Sequence, residues 1–292
     1  MTIKKRLLAL MLTAFVMFSS AASADVAVGD RVITLGADLN ASQKTQILNE
    51  LQQNSEDMMV TVTHQDEVKY LKGLVPASVI GTRAISSVLI TFGNQGDGLT
   101  VETNNITWVS QDMYRNSLLT AGIKDADVVI TAPFPVSGTA ALVGITKAFE
   151  TATGESLSEE NKQVANEEMV KTATLADQIG DKEKAVQFIS ALKEEVQAKN
   201  PASDADYAAI VTLVAEQMGI QLTDEQIASL TELLKKIKDL NIDWQGVADQ
   251  ISDIAEKANV WIENNPEKVE AGKTFLSSVW NALIEFLTKI FS

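Results

Sequence analysis

The sequence predicts an α+β fold, in which an N-terminal mixed α/β sheet region is followed by an all-α helical bundle. From Asp25 to about Gly154, short β-branched runs alternate with segments of helical periodicity, whereas strand signals are absent after Gly154. Strands and helices that interleave in this way predict helices on one face of a mixed sheet. We therefore expect a signal peptide at residues 1–24, an α+β domain at 25–154 and a helical domain at 155–292, with an amphipathic helix at its C-terminus.

The elements of the first part are apolar or β-branched runs that turn residues separate. We expect strands at residues 31–35, 58–63, 85–92, 99–109 and 126–131, and helices at 41–53, 112–120 and 137–151. The run Asn94-Gln95-Gly96-Asp97-Gly98 is a strong turn signal, so we expect the third and fourth strands to form a hairpin.

The second part has helical periodicity and helix start signals throughout. Ser158 precedes Glu159-Glu160 as an N-cap, and Thr223-Asp224-Glu225-Gln226 matches a capping box. We expect helices at residues 158–178, 182–199, 204–218, 224–240, 244–264 and 266–291.

The first 24 residues have the three parts of a secretory signal peptide. Lys4-Lys5-Arg6 is a positive start, residues 7–18 are apolar, and Ala22-Ser23-Ala24 is a small-residue cleavage site before Asp25. The apolar run is shorter than the roughly 20 residues that a membrane span needs. We therefore expect a secreted or extracellular protein, and association with the cell envelope is an open alternative.

Composition excludes several classes of site and partner. The chain carries 39 acidic and 24 basic residues, a net charge of −15, and it contains no cysteine. Disulfides, thiol catalysis and cysteine-based zinc sites are therefore excluded. Nucleic acid is not an expected partner, because its binding requires clustered basic residues. We expect no cofactor and no metal, and the expected partners are an envelope protein, an envelope polymer, a second copy or a membrane surface.

The residues that would serve nucleophilic catalysis do not form a recognisable motif. His64 is the only histidine, and its position at the end of a predicted strand is typical of a solvated or capping residue. Ser190 and Lys193 have the Ser-x-x-Lys spacing of one class of serine enzymes, but the partner motifs of that class are absent. We interpret this spacing as a chance feature of a helix surface, and we expect no catalytic residue.

One candidate site lies where a predicted strand runs into a helix, at residues 133–139. Ser137 is suited to be the N-cap, and Gly138 and Thr139 would present free backbone N–H groups. A helix start of this kind can bind an anion. Ser137, Gly138 and Thr139 are therefore an anion-binding or N-cap candidate.

The last predicted helix has an unusually wide aromatic and aliphatic face over residues 274–291. The residues of this interaction-face candidate are Phe275, Val279, Trp280, Leu283, Phe286, Leu287 and Ile290. Packing as core, binding a partner or a second copy, and contact with a membrane surface are the three alternatives. Its polar face lacks the basic residues that membrane-surface helices usually carry.

Several short stretches resemble a known family. They are GDGL at residues 96–99, NIT at 105–107, LLTAGIKDA at 118–126, PVSGTAAL at 135–142, KAFE at 147–150, LTDEQ at 222–226 and KDLNID at 238–243. Together they resemble the YpuA-like secreted proteins of Gram-positive bacteria, the family called domain of unknown function 1002. The resemblance implies an exported protein and supplies no catalytic residues.

The leading functional hypothesis is a secreted cell-envelope protein that binds or scaffolds without catalysis. One alternative is an envelope hydrolase that uses two carboxylates, for which a cleft with one strongly raised carboxyl pKa would be diagnostic. Another alternative is a membrane-surface protein that attaches through the C-terminal helix.

Overall fold

The computed structural model describes residues 27–240 and residue 242. This part of the chain contains five strands and nine helices. The strands are β1 Arg31–Gly36, β2 Met58–Val62, β3 Ser87–Phe92, β4 Leu99–Ile106 and β5 Ala126–Val136. The helices are α1 Ala41–Glu50, α2 His64–Leu71, α3 Ala77–Ile80, α4 Gln111–Ala121, α5 Thr139–Thr153, α6 Glu159–Ile179, α7 Lys182–Lys199, α8 Asp204–Gln217 and α9 Asp224–Asp239. The predicted α+β class is confirmed. The helices expected at 244–264 and 266–291 lie outside the described residues.

Local capping chemistry explains where most of these helices begin. The side chain of the N-cap residue accepts a hydrogen bond from a backbone N–H group two or three residues later. This bond satisfies a donor that has no partner within the helix. Reciprocal capping boxes start α1, α2, α4, α8 and α9, at Asn40, Thr63, Ser110, Ser203 and Thr223. Thr63 thus starts a helix that the sequence analysis does not anticipate, and His64 is its first residue and not the end of a strand.

The sheet has the order β2-β1-β3-β5-β4, so the expected hairpin of β3 and β4 is wrong. β5 lies between these two strands, antiparallel to β3 and parallel to β4. Asp125 explains how the turn spans this gap, because its Oδ1 accepts the N–H groups of Gly96 and Gly98, each at 3.0 Å. Gly93 N–H also donates to the Asp125 carbonyl at 3.1 Å. The residues at 94–98 correctly predict a turn, but a turn does not determine whether the two strands that it joins pair with each other.

Helices cover both faces of the sheet, not one face as expected. On one face of the sheet, Ile47 of α1 and Leu51, which caps the C-terminus of α1, pack with Ile33 and Leu89. Val32, Val88 and Ile90 belong to the core on the opposite face, to which α4 and α5 contribute. Five of the six residues of β1 are buried in succession. Such a run indicates a strand with apolar neighbours on both sides.

The helical part packs directly on the sheet part. α4 lies against α6, and the hydrophobic core continues from Leu118 of α4 through Met169 of α6 to Phe188 of α7 without a break. The domain boundary near residue 154 stays a prediction. Within residues 27–240, no helix is long and apolar enough to cross a membrane.

A buried ion pair joins the helices at this junction. Lys193 Nζ lies 3.0 Å from Glu168 Oε1, and the two side chains are 1% and 0% exposed. Nζ also donates to Asn116 Oδ1 at 2.9 Å and to Thr120 Oγ1 at 2.8 Å, both on α4. The interpretation of the Ser190-x-x-Lys193 spacing as surface is therefore wrong, since Ser190 is fully buried as well. The spacing of residues on α7 alone cannot reveal a partner that α6 supplies.

Candidate functional site

A cleft of about 500 Å³ opens beside the N-terminus of α5. α2, the segment 78–86, the end of β5 and α6 all contribute to its wall. The side chains that matter for its chemistry are Glu67, Arg83, Trp108, Phe134, Thr139 and Asp177. Residues that lie far apart in the sequence therefore meet where β5 ends and α5 begins.

Gly138 determines how the chain enters α5. It occupies the N-cap position with φ +96°, and no side chain caps the helix. The Tyr114 hydroxyl donates to the Gly138 carbonyl at 2.5 Å. A Cβ atom at position 138 would lie 2.3 Å from the Tyr114 hydroxyl and 2.5 Å from Ile106 Cγ2, so only glycine fits.

The three predicted site residues lie together at the cleft, but their roles differ from the expectation. Ser137 is not the N-cap, because its hydroxyl donates to the Val79 carbonyl at 3.2 Å. Gly138 takes the N-cap position, and Thr139 is the first residue of α5. The left-handed backbone at position 138 moves the start of the helix one residue beyond the serine.

Glu67 is the functional candidate that sequence reasoning missed. Its side chain is 2% exposed although it lines the cleft. Thr139 Oγ1 donates to Glu67 Oε1 at 3.3 Å, whereas Oε2 accepts no hydrogen bond within the described chain. His64 Nδ1 lies 3.5 Å from Oε2. The capping box of Thr63 and Asp66 was the available signal, since it places residue 67 in the first turn of a helix.

The surroundings of Glu67 keep its carboxyl group protonated at neutral pH. Burial raises the pKa of Glu67 to about 8, and the Thr139 hydrogen bond opposes this rise only in part. The negative charges of Asp38 and Asp66 add to it. Burial also raises the pKa of Tyr114, so its phenol stays a hydrogen-bond donor.

Asp66, the adjacent residue, is shifted in the opposite direction. Burial disfavours its charge, but hydrogen bonds from Thr63 and Lys147 outweigh burial and hold the pKa of Asp66 below its ordinary value. Lys147 Nζ lies 3.1 Å from Asp66 Oδ2. Two neighbouring carboxyl groups on α2 are therefore in different protonation states at neutral pH.

The cleft also contains one cation and one exposed carboxylate. The guanidinium carbon of Arg83 lies 6.0 Å from the centre of the Phe134 ring. Between residues 27 and 240, no carboxylate is close enough to Arg83 for an ion pair. Asp177 Oδ2 accepts a hydrogen bond from Trp108 Nε1 at 2.8 Å. The wall thus combines two aromatic rings with a small number of polar groups.

Two other expectations concern metals and the C-terminal helix. No group of three or more potential metal ligands occurs within the described part of the chain. The interaction-face candidate from Phe275 to Ile290 lies outside the described residues, so its three alternatives stay predictions.

Comparison with known proteins identifies the family. The model of a family described as "Protein of unknown function (DUF1002)" matches residues 35–254. The chain is 44% identical over 265 residues to the "Uncharacterized protein YpuA" of Bacillus subtilis (strain 168), covering 89% of this chain and 91% of that protein. No solved structure matches. The cleft and the fold described above therefore belong to a member of the DUF1002 family, similar to YpuA over most of its length.

Proposed function

We propose that this chain is an exported, non-enzymatic binding protein of the cell envelope and that the cleft beside α5 is its ligand site. The observation that carries the proposal is the buried carboxyl group of Glu67, whose Oε2 accepts no hydrogen bond among the described residues and has only His64 Nδ1 nearby, at 3.5 Å. Leaving a buried polar atom unpaired costs about 1–3 kcal/mol. A bound ligand would supply the missing partner.

The shape and lining of the cleft support a small-molecule ligand. Its volume of about 500 Å³ falls in the range of small-molecule sites. Trp108 and Phe134 offer apolar surface, and Arg83 offers hydrogen-bond donors. The hydroxyl groups of Ser137 and Thr139 already donate to Val79 and Glu67, so they can act only as acceptors. This combination suits a small polar molecule, or the end of an envelope polymer, that also carries an apolar portion.

Thermal unfolding tests the ligand site. We expect at least one class within a panel of monosaccharides, amino acids, carboxylates and phosphates to raise the melting temperature, because a ligand at ~100 times its Kd adds about 2.7 kcal/mol of stability. Thr82→Phe should abolish the shift, since Thr82 is exposed and lines the cleft. Thr45→Phe, on the exposed surface of α1, is the matched control and should retain it. Equal shifts in both variants would contradict the proposed site.

Export is tested by N-terminal sequencing of the chain produced with its own leader in a Gram-positive host. We expect the product to begin at Asp25 and to be recovered from the medium or the cell-wall fraction. The charged start and the small-residue cleavage site support this expectation. Recovery of an intact chain that begins at Met1 in the cytosolic fraction would contradict it.

A carboxylate-dependent envelope hydrolase is the second candidate function, because Glu67 and Asp177 line the same cleft. A carboxyl group that stays protonated at neutral pH can act as a general acid, and an ionised carboxylate can act as base or nucleophile. Under this alternative Glu67 would donate the proton and Asp177 would take the second role.

A further inference from the structure

We propose that the cleft is an oxyanion site, in which the start of α5 and Arg83 bind the carboxylate or phosphate group of a small molecule and Glu67 makes this binding depend on pH. The inference rests on the proposed function and deepens it, because it names the chemistry of the ligand.

The start of α5 supplies two backbone N–H groups, those of Thr139 and Ala140, that have no acceptor among the described residues, whereas the Ala141 N–H donates to the Gly138 carbonyl at 3.1 Å. α5 is 15 residues long, and its first backbone N–H groups have no intrahelical partner. Gly138 has no side chain that could cap them, and the Ser137 hydroxyl is directed to the Val79 carbonyl. The aligned peptide dipoles of a helix favour negative charge at this end.

Glu67 is the second, independent observation, because it is a buried polar group that lines the same cleft. Its Oε2 is not hydrogen-bonded, and its other oxygen lies beside the Thr139 hydroxyl at the first turn of α5. With its proton, Glu67 can donate to a ligand oxygen. Without its proton, it places a negative charge where the ligand anion would lie. Above the pKa of Glu67, binding an anion therefore takes up a proton at this residue.

The other titratable groups around Glu67 each have a partner or are neutral, except His64, which lies beside Oε2. Asp66 is compensated by Lys147, and the Asp38 carboxylate accepts the Ala84 N–H at 2.8 Å. The phenol of Tyr114 is neutral, and His64 Nδ1 approaches Oε2 from within α2.

On the cleft wall, the Asp177 carboxylate is engaged by Trp108 Nε1. Arg83 is the cation of the wall that has no ion-pair partner among the described carboxylates. While Glu67 carries its proton, the formal charges of Arg83 and Asp177 on the wall cancel, so the attraction for an anion comes from the start of α5 and from direct contact with the guanidinium group.

Sulfate binding, measured by titration calorimetry on the mature chain, tests the inference. Sulfate is the chosen probe because its charge stays constant across the pH range. We expect its affinity to fall by up to about tenfold per pH unit above roughly pH 8, as linkage to one proton requires. Glu67→Gln should bind sulfate with an affinity that is independent of pH. Arg83→Gln should weaken binding by about fivefold or more, because it removes the cation of the cleft wall.

Lys44→Gln removes the same charge as Arg83→Gln at an exposed position of α1 that does not line the cleft, and it should leave affinity unchanged. A pH dependence that persists in Glu67→Gln, or equal weakening by Lys44→Gln and Arg83→Gln, would overturn the inference. Parallel titrations with acetate and inorganic phosphate separate carboxylate ligands from phosphate ligands. If only neutral or cationic compounds of the panel bind the cleft, the anion assignment fails while the proposed binding function stands.

Discussion

Replacing Lys193 with methionine is expected to lower the free energy of unfolding by about 3–5 kcal/mol, because the change leaves Glu168 buried without its cation. Burial lowers the pKa of Lys193, and the attraction of Glu168 opposes this effect. The ammonium group also serves Asn116 and Thr120, so its loss removes several charge-assisted hydrogen bonds at once. Denaturant unfolding of residues 25–292 at neutral pH measures the effect.

Two comparisons isolate the contribution of the buried pair. The double variant Lys193→Met with Glu168→Gln should recover a large part of the lost stability, because no buried charge is left unpaired. Lys199→Met removes the partner of Glu195 on the same helix, where the side chains are 49% and 37% exposed, and should cost less than about 1 kcal/mol. Equal effects of Lys193→Met and Lys199→Met would contradict the structural role assigned to the buried pair.

Replacing Glu67 with glutamine is expected to stabilise the protein by on the order of 3 kcal/mol at pH 7, because each pKa unit corresponds to ~1.4 kcal/mol. The pKa of Glu67 rises from 4.5 to about 8, so between these values the folded chain binds more protons than the unfolded chain. The stability of the unsubstituted protein therefore falls as the pH rises through this window, and the penalty is complete above roughly pH 8. Glutamine has no proton to lose, so the gain should be small near pH 4 and largest above pH 8.

Asp66→Asn is the matched control on the adjacent residue, because its expected sign is opposite. The pKa of Asp66 lies below its ordinary value, so its charge stabilises the fold above that value and the contribution is lost as the pH falls. We expect Asp66→Asn to destabilise by about 1 kcal/mol at neutral pH and less in acid. A destabilising or pH-independent effect of Glu67→Gln would contradict the assigned protonation state. The same variant separates the two functions, since a hydrolase would lose turnover whereas a binding protein would keep its ligand.

The elements that could be predicted from the sequence are those that local chemistry determines. The capping box at Thr223 and the alternating β-branched runs act within a few residues, so the α+β division and most helices were predictable. Glu67 and Lys193 were not, because the burial of a charged side chain depends on partners that other elements supply. The Gly138 N-cap was missed for a related reason, since Tyr114, whose close approach leaves no room for a side chain at position 138, belongs to another element.

The position of β5 between β3 and β4 has a consequence for the order in which the sheet is assembled. When the chain emerges with its N-terminus first, β1, β2 and β3 are available before β5, so the backbone groups along one side of β3 must wait for residues Ala126–Val136. An exposed strand edge of this kind can pair with another chain, and distant pairing slows folding. Under the proposed export, this interval would fall when the chain leaves the translocation machinery. We therefore expect the arrival of β5 to remove an edge at which the partly formed sheet could aggregate.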